Sequence, residues 1–171
     1  MSIVKWYRDR QIRSLSPNQR KDYPGWTKVK KVALYYEIKP AYEKELKAWQ
    51  ALFEGDSIQV ELLAYQDEKR KNLNPSLQRR TLCKDDQNWW SKPQGADFEE
   101  FTAPEYEVYI DLCGDENALH EMVSRSVNAS LKIGFSPKKE AFMDVSIKCE
   151  KSGLSESCRK EVLALLKFIN A

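Results

Sequence analysis

Apolar residues recur along this chain with two periods, and the switches between them mark out the elements. Lys31–Ile38 (KVALYYEI) is apolar on both faces, as a buried central parallel strand should be. Pro40 suits the first turn of a helix, and Tyr42, Leu46, Trp49 and Phe53 then repeat at helical spacing up to a stop at Gly55. Ser57–Tyr65 is a second strand. The stretch from Tyr106 to Phe135 reads as a complete strand–helix–strand unit. Tyr106–Leu112 is its first strand and Gly114-Asp115 its turn. Leu119, Met122, Val123 and Val127 form a helix stripe closed by Asn128 and Ala129, and Ser130–Phe135 is its second strand. Two parallel strands joined by a crossover helix need about this length.

The linker Ser136–Glu140 is too short for another parallel crossover, so 141–149 is expected to return as an antiparallel edge strand. Phe142, Asp144, Ser146 and Lys148 would face one way, and Met143, Val145, Ile147 and Cys149 the other. Ser155 reads as the N-cap of a last helix with the stripe Cys158, Val162, Leu165, Leu166 and Ile169. Gln66 to Pro104 is the least legible part. Arg79–Lys84 suits a short strand, Asp97–Phe101 one turn of helix, and Trp89 and Trp90 sit in a loop. The series predicts a three-layer α/β sandwich whose mainly parallel, Rossmann-like sheet carries an antiparallel C-terminal edge strand. Right-handed crossovers would make the first strand central, with the chain winding both ways from it.

Composition adds a boundary. The chain has 171 residues, a size that suits one domain. Net charge is only +2, but residues 1–31 hold nine Lys/Arg (Lys5, Arg8, Arg10, Arg13, Arg20, Lys21, Lys28, Lys30, Lys31) against Asp9 and Asp22, so +7; the rest sums to −5. This reads as a basic arm (1–31) on a mildly acidic α/β domain (32–171). The aromatics of the Asp22–Trp26 turn are expected to pack back on the body. An anionic surface such as RNA, the ribosome or a membrane is the partner chemistry such an arm fits. There is no 18-residue apolar run and no apolar leader in the first residues. Cys83, Cys113, Cys149 and Cys158 show no metal or CxxC spacing. They read as reduced thiols, which points to a cytoplasmic protein.

In doubly wound sheets, ligands bind beyond the carboxyl ends of the strands, at a switch point. Glu37, Asp67, Asp111, Cys113 and Asp115 fall there, with Lys39 and the single histidine, His120, nearby. A carboxylate cluster can hold a cation or transfer protons. The structural alternative is that such acids cap helices, and Asp115 suits the N-cap of a helix starting at Glu116. One histidine excludes a histidine metal site. The first strand–helix loop, Glu37–Tyr42, has no glycine to let the backbone approach a phosphate, so nucleotide chemistry is disfavoured. No catalytic residue, metal or cofactor is assigned.

Four motifs carry a resemblance: the basic N-terminus, Asn88-Trp-Trp-Ser-Lys-Pro93, the strand 106–112, and 129–134. Together they resemble a domain-of-unknown-function family from Bacteroidetes, along nearly the whole chain, which implies no activity. The central unit is also similar to the N-terminal half of heptosyltransferase-type glycosyltransferases, which implies a Rossmann-like half-domain. Their glycine-containing first loop is absent here, and the chain is too short for their nucleotide-sugar domain. Two function classes follow. One is a non-enzymatic binding domain acting through its arm. The other is a small-ligand or sugar-binding domain with its site at the strand ends. A homodimer through 141–149 or the Trp89-Trp90 loop is a third expectation.

Overall fold

The computed structural model describes residues 22–73, 79–88, 92–113, 117–135, 142–148 and 153–169. The strands are β1 (Lys31–Glu37), β2 (Gln59–Gln66), β3 (Thr81–Cys83), β4 (Glu105–Asp111), β5 (Asn128–Gly134) and β6 (Val145–Ser146). The helices are α1 (Glu43–Glu54), α2 (Ala96–Thr102), α3 (Ala118–Ser126) and α4 (Glu156–Phe168). The sheet runs β3-β2-β1-β4-β5-β6 with every described pairing parallel. This is the order of the doubly wound sheets. β1 is central, and the order reverses between β1 and β4.

Alternation along β1 separates two cores. Val32, Leu34 and Tyr36 face Leu46, Trp49 and Phe53 of α1 and Cys158, Val162 and Leu166 of α4. Ala33 and Tyr35 face the other layer, with Phe101 of α2 and Leu119 and Val123 of α3. The expected three layers are therefore present. Tyr23 and Val29 belong to the first core and Trp26 packs against it. The Tyr23 hydroxyl donates to the Leu166 carbonyl at 3.1 Å, and burial pushes that phenol up to about 12, so it keeps its proton. Residues 1–21, including Lys5, Arg8, Arg10, Arg13, Arg20 and Lys21 of the arm, lie outside the described residues, as do Asp115 and the Trp89-Trp90 pair.

The C-terminal edge departs from expectation. β6 is two residues long and pairs parallel to β5, Ile133 with Val145 and Gly134 with Ser146. Among the described residues 142–148 no antiparallel strand forms. The reason lies in the register. β6 meets only the last two residues of β5, Ile133 and Gly134, so the paired length is too short to carry a long edge strand. The linker supplies its own cover. Phe142 lies under the Arg125 guanidinium at 5.0 Å and Met143 is buried in the α2/α3 core, whereas Val145 and Ile147 pack on the opposite core. Asp144 guides the return: its N–H donates to the Lys132 carbonyl at 2.9 Å and its carboxylate accepts the Lys132 N–H at 2.7 Å.

Two helix starts also settle. Ser155 caps α4, accepting from the Cys158 N–H at 3.4 Å. The cap of α3 is Asn117, not Asp115: its side chain accepts from Leu119 N–H at 2.9 Å. Both Asn and Asp place an acceptor over free helix N–H groups, so two nearby Asx residues compete for that role in the sequence. Asn128 and Ala129 open β5 and do not end the helix.

Cys83 and Cys113 are buried thiols outside any disulfide. Cys158 is disulfide-bonded, so the expectation of four reduced thiols does not hold there. Among the described residues no helix is long and apolar enough to cross a membrane.

Gly153, just before α4, sits against the Phe135 ring. A Cβ there would come within 2.5 Å of Cδ2 and 2.7 Å of Cγ. Gly153→Ala is expected to cost about 1–3 kcal/mol, as overpacking of a dense core does, and to lower the melting temperature. Thermal unfolding by circular dichroism measures it; an unchanged midpoint would mean that the ring has room to move.

Candidate ligand site at the carboxyl edge of the sheet

Among the described residues, four of the five buried polar side chains gather on one side, the fifth being Thr81 of β3. Asp111, His120, Ser124 and Lys132 are each at most 2% exposed. All contact the α2/α3 layer, while the α1/α4 core is built from apolar side chains and tyrosines.

Asp111 ends β4. Its Oδ1 accepts the Cys113 N–H at 2.9 Å and its Oδ2 accepts the Ser124 hydroxyl at 2.9 Å. Ser124 has one hydroxyl proton, and Asp111 takes it, so the 2.9 Å contact between Tyr109 and Ser124 has the phenol as donor. The result is a directed chain, Tyr109 to Ser124 to Asp111. Burial first, and Asp111 second, push the Tyr109 phenol well above its ordinary value, which keeps that proton in place. Lys132 of β5 closes α3 from below: its ammonium donates to the Ser124 carbonyl at 2.7 Å and the Arg125 carbonyl at 3.4 Å. A cation against the last carbonyls of a helix satisfies them and complements the dipole.

His120 stands at the switch point. The Tyr35 hydroxyl and His120 Nδ1 are 2.7 Å apart. Burial pushes the Tyr35 phenol well above its ordinary value, with the neighbouring charges of Cys113 and Asp111 adding to it. The hydroxyl keeps its proton and can donate it to Nδ1. The rings of Tyr35 and Tyr65 meet the imidazole edge-on, at centroid distances of 5.4 and 4.9 Å. Beyond, the Tyr65 hydroxyl donates to Asp67 at 2.9 Å, and Lys84 pairs with Asp67 at 3.1 Å. The Tyr65 hydrogen bond, then the one from Lys84, holds the Asp67 carboxyl below its ordinary range, and His120 adds to the same effect. Lys84, Asp67, Tyr65, His120 and Tyr35 thus run in a line across the carboxyl ends of β2 and β1 toward β4.

The fold therefore brings four of the sequence candidates to one edge. Glu37 and Asp67 both act on Tyr65, and Asp111 and Cys113 both act on Tyr35. They do not form one open carboxylate cluster. Glu37 is paired with Lys39 at 2.6 Å, Asp67 with Tyr65 and Lys84, and Asp111 is buried under Ser124 and Cys113. Among the described residues no group of three His, Cys, Asp or Glu side chains could hold a metal ion. Sequence reasoning missed Tyr35, Tyr65, Tyr109 and Ser124. The tyrosines passed as strand apolars, although Tyr at alternate positions of neighbouring parallel strands puts hydroxyls on a common face.

A second polar group edges the sheet at β3. Asp97 Oδ2 accepts Thr81 N–H at 3.1 Å, Asp86 Oδ2 accepts Cys83 N–H at 2.8 Å, and Arg70 pairs with Asp86. Burial alone would raise the Asp86 carboxyl, but the hydrogen bonds from Arg70 and Cys83 outweigh it and hold the group below its ordinary value. A carboxyl depressed in the folded state stabilises fully above its unfolded value, near 3.9, and loses that contribution as pH falls through the folded one. The stability difference between the wild type and Arg70→Gln, present at pH 7, is therefore expected to close below about pH 4. Urea midpoints across a pH series test it, and a gap that does not change with pH would contradict the pairing.

Neither a search of curated proteins nor one of solved structures returns a match. A family model does match: residues 2–169 fit the family of unknown function DUF6913.

Proposed function

The chain belongs to that family of unknown function, and we propose that its members are small-ligand-binding domains whose site is the carboxyl edge at the β1–β4 switch point. One observation carries this reading: Asp111, His120 and Ser124, with their tyrosine partners, are buried together at that end and on one face. A buried polar network is costly to build and sensitive to small errors, and an apolar core would have served stability as well. The place is where doubly wound sheets bind ligands. Glu37, Lys39, Asp67 and Lys84 rim it with both signs of charge, which suits a polar, near-neutral ligand. The sequence resemblance proposed for the central unit, to heptosyltransferase-type glycosyltransferases, makes a sugar the first class to try. No catalytic role is proposed.

The single histidine makes the test direct. Its ring protons give one set of NMR signals, to be followed while sugars and other metabolites are added to the full chain. Saturable shifts of the His120 signals are expected with at least one of them. A ring that stays still throughout would remove the reading.

A second reading keeps the basic arm as a contact element for an anionic surface, favoured by the +7 charge of residues 1–31. Tyr23 and Trp26 anchor the body without residues 1–21. Deletion of 1–21 should leave the melting temperature unchanged and abolish salt-sensitive binding to RNA or anionic vesicles. Retention of that binding by the truncated protein would sink it. The expected cytoplasmic location is supported by the reduced Cys83 and Cys113, and the disulfide at Cys158 argues the other way.

A further inference from the structure

Away from the switch point, a pocket of about 240 Å³ lies beside β3, walled by Arg70, Leu82, Asp86, Gln94, Gly95 and Asp97. The charged walls each use one end to hold the strand. Asp97 does so through Oδ2 alone. Arg70 donates from its head only through Nη2, to Asp86 and to the Thr81 carbonyl at 3.4 Å. Among the described residues, Asp97 Oδ1, Arg70 Nε and Nη1, and the Gln94 side-chain amide make no hydrogen bond. Gly95 has φ 104°, a conformation that side-chain-bearing residues rarely adopt, so the wall beside Asp86 is bare backbone.

We propose that this pocket binds a free α-amino acid, its carboxylate on the open edge of the Arg70 guanidinium and its ammonium on Asp97 Oδ1. Three features select that class. The pocket is lined by a full positive and a full negative group, each with head atoms that make no hydrogen bond among the described residues, and a zwitterion matches both. A phosphate would meet two carboxylates, Asp86 and Asp97, and be repelled. Among the described lining residues a sugar would find no aromatic ring to stack on. The volume lies below the range of about 300–1,000 Å³ usual for larger ligands, so the guest is small. Leu82, buried, offers the one sizeable apolar wall for an aliphatic side chain.

The test uses the ¹⁵N-labelled full chain, titrated separately with each common L-amino acid, with glucose and with inorganic phosphate. Any amino acid that binds is repeated as its carboxamide and as its N-acetyl form. The amides of Leu82, Gln94, Gly95 and Asp97 are expected to shift with at least one amino acid while the His120 ring signals stay still. Each blocked form should bind about tenfold or more weakly, the loss of one charge-assisted contact. Arg70→Gln and Asp97→Asn should weaken binding to a similar degree. Should either variant fail to fold, the blocked ligands on the wild type decide the matter. The proposal is overturned if no amino acid moves those amides, if a blocked form binds as well as its parent, or if only phosphate or glucose moves them.

Discussion

Asp111→Ala is expected to destabilise the protein by about 2–6 kcal/mol, since the cost of one orphaned buried donor is about 1–3 kcal/mol and two are created here. The Cys113 N–H and the Ser124 hydroxyl both lose their acceptor, and the Tyr109–Ser124 contact loses the group that decides which of the two donates. Asp111 and Ser124 are fully buried, so the orphaned groups do not face bulk solvent. Domains of this kind are stable by only about 5–15 kcal/mol, so the variant stands near the limit of folding. Asp111→Asn keeps one acceptor and turns a donor toward the other group, so it should fall between wild type and alanine. Lys84→Ala is the control. It breaks an exposed pair with Asp67, worth about 0–1 kcal/mol. Urea unfolding followed by tryptophan fluorescence ranks the three. An alanine variant within 1 kcal/mol of wild type, on the scale set by buried hydrogen bonds, would show that the network can be dispensed with.

Trp49→Ala is expected to cost about 3–5 kcal/mol, the range for removing a fully buried large aromatic, with a loss at the upper end. Trp49 of α1 is fully buried and heads the largest enclosed side chains. It packs on Phe53 and edge-on against Phe135, both at 6.3 Å between centroids. Its indole N–H donates to the Leu154 carbonyl at 3.3 Å, which ties α1 to the turn before α4. The alanine variant leaves a cavity at the junction of α1, α4 and the end of β5, and takes the donor from a buried carbonyl. Trp49→Phe keeps most of the volume and should cost clearly less. Equilibrium denaturation compares them. Equal losses from the two variants would mean that the hydrogen bond, not the volume, dominates.

Periodicity made most of the fold legible, because burial on both faces of β1 and β4 leaves near-continuous apolar runs and the stripes of α1, α3 and α4 face one core each. The edges were harder to read. β6 is two residues long and β3 three, too short to impose a period, and the Phe142–Ile147 segment splits its apolar residues between two cores. Alternation there suggested one long strand, but it was the sign of a chain crossing the sheet end. At the carboxyl edge the acids were visible in sequence because strand ends are easily located. Their partners were hidden. Nothing local marks Tyr35 as the neighbour of His120, 85 residues away, or Asp111 as the acceptor of Ser124 one helix later. The β3 pocket was out of reach for the same reason: Arg70, Asp86 and Asp97 meet only through the long connection that sequence could not parse.

The two carboxylates on β3 bear on the protein's behaviour in concentrated solution. A three-residue outer strand with free N–H groups would be a template on which a second molecule could lay a strand. Thr81 and Cys83 already donate theirs to Asp97 and Asp86, and the Thr81 carbonyl faces Arg70. An incoming backbone would have to evict charged side chains from both positions before forming its first bond. Sheet-to-sheet polymerisation from this side is thereby disfavoured, and the double change Asp86→Ala, Asp97→Ala would remove the guard and expose the chain to fibril growth.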